Sequence, residues 1–106
     1  MISGEQIQQA VERLVAASNP SKVILFGSYA RGDATEDSDL DLMVIEQEVT
    51  NKFEEMIRLH RVVGDVGIGV DVLVYSDKEA CRRSQVPGTV LYWAFSEGKV
   101  LYDARP

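Results

Sequence analysis

The stretch from Lys22 to Ile45, KVILFGSYARGDATEDSDLDLMVI, constrains the chain more than any other. It opens with an unbroken apolar run, Val23 to Phe26, and stops at Gly27-Ser28. A polar, glycine-punctuated segment follows, and the chain then re-enters an apolar run that carries Asp39 and Asp41. Val23 to Phe26 is too short and too β-branched to be a helix, so it predicts a fully buried central strand. Leu40 to Ile45 predicts a second strand. The period of two puts Asp39 and Asp41 on one face with Met43 and Ile45, and Leu40, Leu42 and Val44 on the other. A strand, a Gly-Ser turn and a strand with alternate acids outline a site for phosphate and metal.

The flanking segments supply the elements that hold this stretch. Ser3 with Gln6 fits a capping box. Ile7, Ala10, Val11, Leu14 and Val15 then recur at helical spacing until Asn19-Pro20 ends the helix. Tyr29-Ala30-Arg31 predicts a short helical turn stopped by Gly32. Phe53, Met56, Ile57, His60 and Gly64 predict an amphipathic helix, with Arg58 and Arg61 on its polar side. Val70 to Tyr75 predicts a third strand, on which Asp71, Leu73 and Tyr75 face one way and Val70, Val72 and Val74 the other. Ser76 and Glu79 suggest a second capping box and a short helix through Cys81. Thr89 to Ser96 predicts a last helix that Gly98 stops, and Val100 to Tyr102 a short edge strand.

With 106 residues, the expectation is one domain over 1–106. The formal net charge of -6 gives no bulk attraction to nucleic acid or anionic membrane, but suits a site that collects divalent cations. One cysteine rules out an internal disulfide or a cysteine zinc cluster. The amphipathic start lacks a signal peptide's apolar core, and no apolar run approaches the roughly 20 residues that span a membrane. A soluble, acidic, cytoplasmic α/β domain is expected.

Asp39 and Asp41 sit two apart on a strand, about 6.6 Å between α-carbons, so their carboxylates can converge on hard cations. Against this, a half-exposed strand can carry two solvated aspartates. On these two residues alone the readings stand level. Asp71, an acid at the start of a third apolar strand, tips the balance towards a three-carboxylate cluster if that strand neighbours the second. Gly27-Ser28 lets backbone amides approach a phosphate closely, although an ordinary strand-ending turn looks the same. The segment lacks the GK[ST] ending of a P-loop and the Rossmann glycine pattern. A calcium loop starting at Asp37 is rejected, because its sixth position, which requires glycine, is Leu42. His60 reads as a packed structural histidine and Cys81 as a small buried residue. Val90 to Phe95 is apolar all round a helix, a surplus that points to a protein interface. Tyr92 or Trp93 is expected to contribute, with Trp93 the better candidate for the core.

Gly27-Ser28-x-Ala30-Arg31-Gly32, five residues, then Ser38-Asp39-x-Asp41-Leu42, resembles the signature of the DNA polymerase beta-type nucleotidyltransferases. Within that superfamily the chain resembles the minimal nucleotidyltransferases, or MNT proteins, encoded beside HEPN-domain partners. Tyr29 stands where many relatives carry a basic residue. The resemblance implies an α/β (α+β) nucleotidyltransferase fold, a small mixed β-sheet flanked by helices. It also implies two Mg²⁺ ions and ATP as substrate. Asp39 and Asp41 would hold both metals, and Asp71 would bind the catalytic one and help deprotonate the attacking hydroxyl. Gly27 and Ser28 would hold the leaving pyrophosphate, assisted by Arg31. Some MNT proteins are antitoxins that transfer AMP to a tyrosine of a HEPN toxin, a ribonuclease.

The expected function is therefore AMP transfer from ATP to a hydroxyl of a HEPN-domain partner. One rival is an antitoxin that neutralises its partner by contact alone, which would not require three acids in one cluster. Another is transfer to a small molecule, for which the chain has no additional acceptor-gripping domain.

Overall fold

Ser3 opens the first helix, α1 (Gly4–Ser18), with both arms of the capping box made. The Ser3 hydroxyl accepts from the Gln6 N–H at 3.1 Å and the Gln6 side chain accepts from the Ser3 N–H at 2.9 Å. Asn19 closes the helix in the left-handed region, at φ 47°, donating its N–H to the Val15 carbonyl. The computed structural model describes residues 1–105.

The chain continues as β1 (Lys22–Phe26), the single turn α2 (Ser28–Arg31), β2 (Leu40–Glu46) and α3 (Lys52–Val63). It ends as β3 (Val70–Ser76), α4 (Asp77–Arg83), α5 (Val90–Glu97) and β4 (Lys99–Asp103). The four strands form one mixed sheet in the order β3-β2-β1-β4. Strand β1 runs antiparallel to β2 and β4, whereas β2 and β3 are parallel, because α3 carries the chain back to the starting end of the sheet. The expected mixed sheet flanked by helices is therefore the observed fold.

Both faces of the sheet are covered, which is why β1 and β2 read as continuous apolar runs. One face packs Val23, Leu25, Leu40, Leu42, Val44, Val72 and Val74 against Ala10, Val11 and Leu14 of α1 and Leu59 and Val63 of α3. The other packs Ile24, Met43 and Ile45 against Ala80 of α4 and Leu91 and Ala94 of α5. The side-chain alternation predicted for β2 and β3 holds on both faces.

Four expectations fail. Helix α3 is rotated relative to the predicted stripe: Leu59 and Val63 are buried, while Phe53, at 76% exposure, and Ile57 face outward. The segment contains two apolar stripes at helical spacing, and contact with α1 and the sheet selects the one through Leu59 and Val63. His60 consequently lies exposed rather than packed. Cys81 is also exposed, because α4 turns Ala80 inward. The second capping box is half made: Ser76 accepts from the Glu79 N–H, but the Glu79 carboxylate pairs instead with Lys52 at 2.8 Å and Arg83 at 3.4 Å.

Candidate active site

Phe26, Asp41 and Asp71 lie side by side across the sheet, Phe26 paired with Asp41 and Asp41 with Asp71. Paired positions share a face, so this row lies on the face covered by α4 and α5, just beyond the end of the apolar layer. The parallel pairing of β2 with β3 brings Asp71 beside Asp41, the juxtaposition on which the three-acid reading depended.

Gly27 turns the chain out of β1 with φ 73° and ψ −156°, a combination essentially confined to glycine. It is also crowded: a Cβ there would clash with Asp41 Oδ2. The Gly27 carbonyl accepts the N–H groups of Ala30 and Arg31, each at 3.1 Å, which closes α2. Gly69 stands in the same relation to Asp39, whose Oδ1 fills the space a Cβ would take. The Leu40 N–H donates to the Gly69 carbonyl at 2.9 Å, locking the start of β2 to the entry of β3. Gly69 was not singled out from sequence; its signal was the position two residues before Asp71, beside the strand carrying the other acids.

The Asp41 carboxyl is pushed up from 3.8 to about 6. Burial is the largest cause, followed by the charge and hydrogen-bonding contact of Asp71 and then the charge of Asp39; Arg31 opposes them. Asp71 and Asp39 thus both act on Asp41. Among the described residues, however, no three His, Cys, Asp or Glu side chains are gathered closely enough to form a metal-holding group. Asp41 and Asp71 converge, while Asp39 stands back against Gly69. The all-oxygen donor set and the close carboxylate pair suit a hard divalent cation.

Arg31 is half exposed and reaches Asp33 at 3.3 Å and Glu97 at 4.0 Å. Tyr29, in place of a basic residue, packs against the core, and its hydroxyl accepts the Ile2 N–H at 3.3 Å. Two clefts flank the carboxylate row. One, of about 470 Å³, is lined by Phe26, Gly27, Arg31, Val90, Trp93 and Glu97. The other, of about 340 Å³, lies along β3 and contains Asp71 with Phe53, Ile57, His60 and Arg61. Trp93 is 49% exposed, so it is not the core residue expected.

A mixed four-stranded sheet, with a Gly-Ser turn and carboxylates from two adjacent strands at one end, is the architecture of a nucleotidyl-transfer domain. The nucleotidyltransferase domain family matches residues 5–102; the chain belongs to that family and is a nucleotidyltransferase. It is 33% identical over 87 residues to MJ0604 of Methanocaldococcus jannaschii, named as a candidate protein adenylyltransferase, covering 76% of this chain and 77% of that protein. Its fold is similar to that of a candidate nucleotidyltransferase from Sulfolobus solfataricus, with a TM-score of 0.66, 21% identity and coverage of 94% of this chain and 79% of the other. It is also similar to a chain of a toxin–antitoxin crystal structure with AMP-PNP, with a TM-score of 0.55, 20% identity and coverage of 92% and 74%.

Proposed function

We propose that residues 1–106 act as one nucleotidyltransferase domain that moves AMP from ATP to a hydroxyl of a partner protein, a tyrosine of a HEPN-domain toxin, and so serves as its antitoxin. The observation that carries this reading is the Asp41–Asp71 pair beside the Gly27-Ser28 turn. The curated relative named for protein adenylylation supports a protein acceptor, and the toxin–antitoxin structure with AMP-PNP supports a toxin partner. Use of ATP fits a cytoplasmic setting; no helix among the described residues is long and apolar enough to cross a membrane.

In this reading Asp41 and Asp71 would hold Mg²⁺, joined by Asp39 once its carboxylate leaves Gly69. Two such ions would screen the triphosphate from the carboxylates and supply charge stabilisation to the attacking and leaving oxygens. Gly27 and Ser28 bind the β- and γ-phosphates through backbone amides and the Ser28 hydroxyl, and Arg31 leaves Asp33 to meet the same charge. Asp71 belongs to both the carboxylate row and the cleft along β3, so the acceptor hydroxyl approaches from that side. Asp71 takes the hydroxyl proton as the acceptor oxygen bonds to the α-phosphorus. The bond from that phosphorus to the bridging oxygen breaks, and pyrophosphate leaves with the electron pair.

Exposed apolar side chains on both sides of the site, Phe53 and Ile57 on α3 and Val90, Trp93 and Phe95 on α5, offer surface to a protein partner. Co-expression with a HEPN-domain protein encoded beside it tests the proposal by size-exclusion chromatography and intact mass. The expected result is a stable complex whose partner carries AMP, and an unmodified partner with Asp41→Asn. A monomer beside an unmodified partner overturns both acceptor and partner. A tight complex that never gains AMP overturns the catalytic reading in favour of neutralisation by contact.

A further inference from the structure

Two clefts flank the carboxylates, and the nucleotide must use the one that contains its phosphate ligands. Gly27 and Arg31 line the cleft beneath α5, together with Phe26, Val90, Trp93 and Glu97. Val90, Trp93 and Glu97 recur at positions i, i+3 and i+7, so one flank of α5 forms a continuous wall of this cleft. Phe26 forms its floor, paired in register with Asp41. The Trp93 and Tyr92 rings form a T-shaped pair, with centroids 5.4 Å apart and planes at 83°. A half-exposed tryptophan beside a half-buried tyrosine thus lines the same cleft as the Gly27 turn. Every nucleobase has a π-face that stacks on such a side chain, with little dependence on sequence.

We infer that the cleft bounded by Phe26, Val90 and Trp93 is the nucleobase subsite, with the base stacked on Trp93 while Gly27, Ser28 and Arg31 hold the phosphates. The inference rests on the nucleotide reading above and extends it to residues that the Gly-Ser and Asp-x-Asp motifs do not contain. It withdraws Val90 and Trp93 from the surface offered to a partner and leaves Phe95 there. Glu97, at 4.0 Å from Arg31, links the base cleft to the phosphate side.

Trp93 is the only tryptophan, so its emission reports on this cleft alone. The intact protein is titrated with Mg-ATP and with Mg-tripolyphosphate, which has phosphates but no base, by calorimetry and by fluorescence corrected for inner-filter absorption. Mg-ATP is expected to quench Trp93 with the calorimetric midpoint, and tripolyphosphate to bind without quenching. Trp93→Ala is expected to bind ATP about tenfold more weakly, within the range for base–aromatic stacking, and tripolyphosphate as before. Val90→Glu, on the same wall, should act likewise; both side chains are substantially exposed, and the melting temperature checks that the fold persists. ATP binding with unchanged Trp93 emission and unchanged affinity in both variants overturns the base subsite and leaves nucleotidyl transfer standing. Failure of both ATP and tripolyphosphate to bind overturns the nucleotide reading and the subsite with it.

Discussion

At the scale of single residues, the proposed function gives Gly27 and Asp71 separable duties. Gly27→Ala puts a Cβ in collision with Asp41 Oδ2 and forces alanine into a region that non-glycine residues avoid. A residue held in such backbone geometry costs about 1–3 kcal/mol before any clash is relieved. Gly27→Ala is therefore expected to lower the melting temperature and abolish Mg-ATP binding; calorimetry with normal affinity would contradict the close approach. Asp71 is exposed, whereas Asp41 is half-buried. If Asp71 acts chiefly on the acceptor hydroxyl, Asp71→Asn loses turnover far more than Mg-ATP affinity. Measuring both in the same variant decides this, and equal losses would reduce Asp71 to a metal ligand.

At the scale of elements, the far end of β2 meets α3 through an acid pair. Glu46 is 9% exposed, and its Oε2 has no hydrogen-bond partner among the described residues. Burial, then the hydrogen bond and charge of Glu55, push the Glu46 carboxyl from 4.5 to about 7, against the pull of Arg58. Glu55 moves the other way, held ionised by its hydrogen bond with Arg58 at 2.7 Å. Glu46 is thus the member of the pair that keeps the proton. Below its unfolded value of 4.5 it is protonated in both states and costs nothing. As pH rises from there to about 7 the unfolded chain ionises first, and stability falls across that window. Glu46→Gln, which stays neutral, should melt higher than the parent at about pH 8, with the gap closing towards about pH 4.5. A gap that persists at the acid end would mean that packing, not protonation, causes the difference.

At the scale of the whole molecule, the carboxylate row lies between the cleft under α5, proposed above to take the nucleotide, and an apolar cleft at the edge of the sheet. Phe53 and Ile57 rim the second cleft and contribute little to the core. The double variant Phe53→Glu, Ile57→Glu should change stability by no more than about 0.5 kcal/mol per site, as for most surface substitutions. Mg-ATP affinity should persist, while AMP transfer to the protein partner falls. A parent-like rate of partner modification would place the acceptor elsewhere.

Local order along the chain was readable wherever one residue type has one physical use. The Ser3 box, the Gly27 turn, the α2 stop at Gly32 and the alternation along β2 and β3 all follow from covalent geometry and periodicity within a few residues. The pairing of Asp41 with Asp71 was legible only as a condition, since it required β3 to be the neighbour of β2. What tertiary structure alone decided were choices between equivalent local patterns. The two stripes of α3 are both apolar at helical spacing, and contact with α1 and the sheet buries Leu59 and exposes Phe53 and His60. Helix α5 is apolar all round, so its sequence does not say which flank meets β1. Docking through Leu91 and Ala94 turns Trp93 away from the core and towards Gly27. Periodicity identifies a helix or strand and its faces; which face is buried depends on residues distant in the chain, and packing selects it only when those surfaces meet.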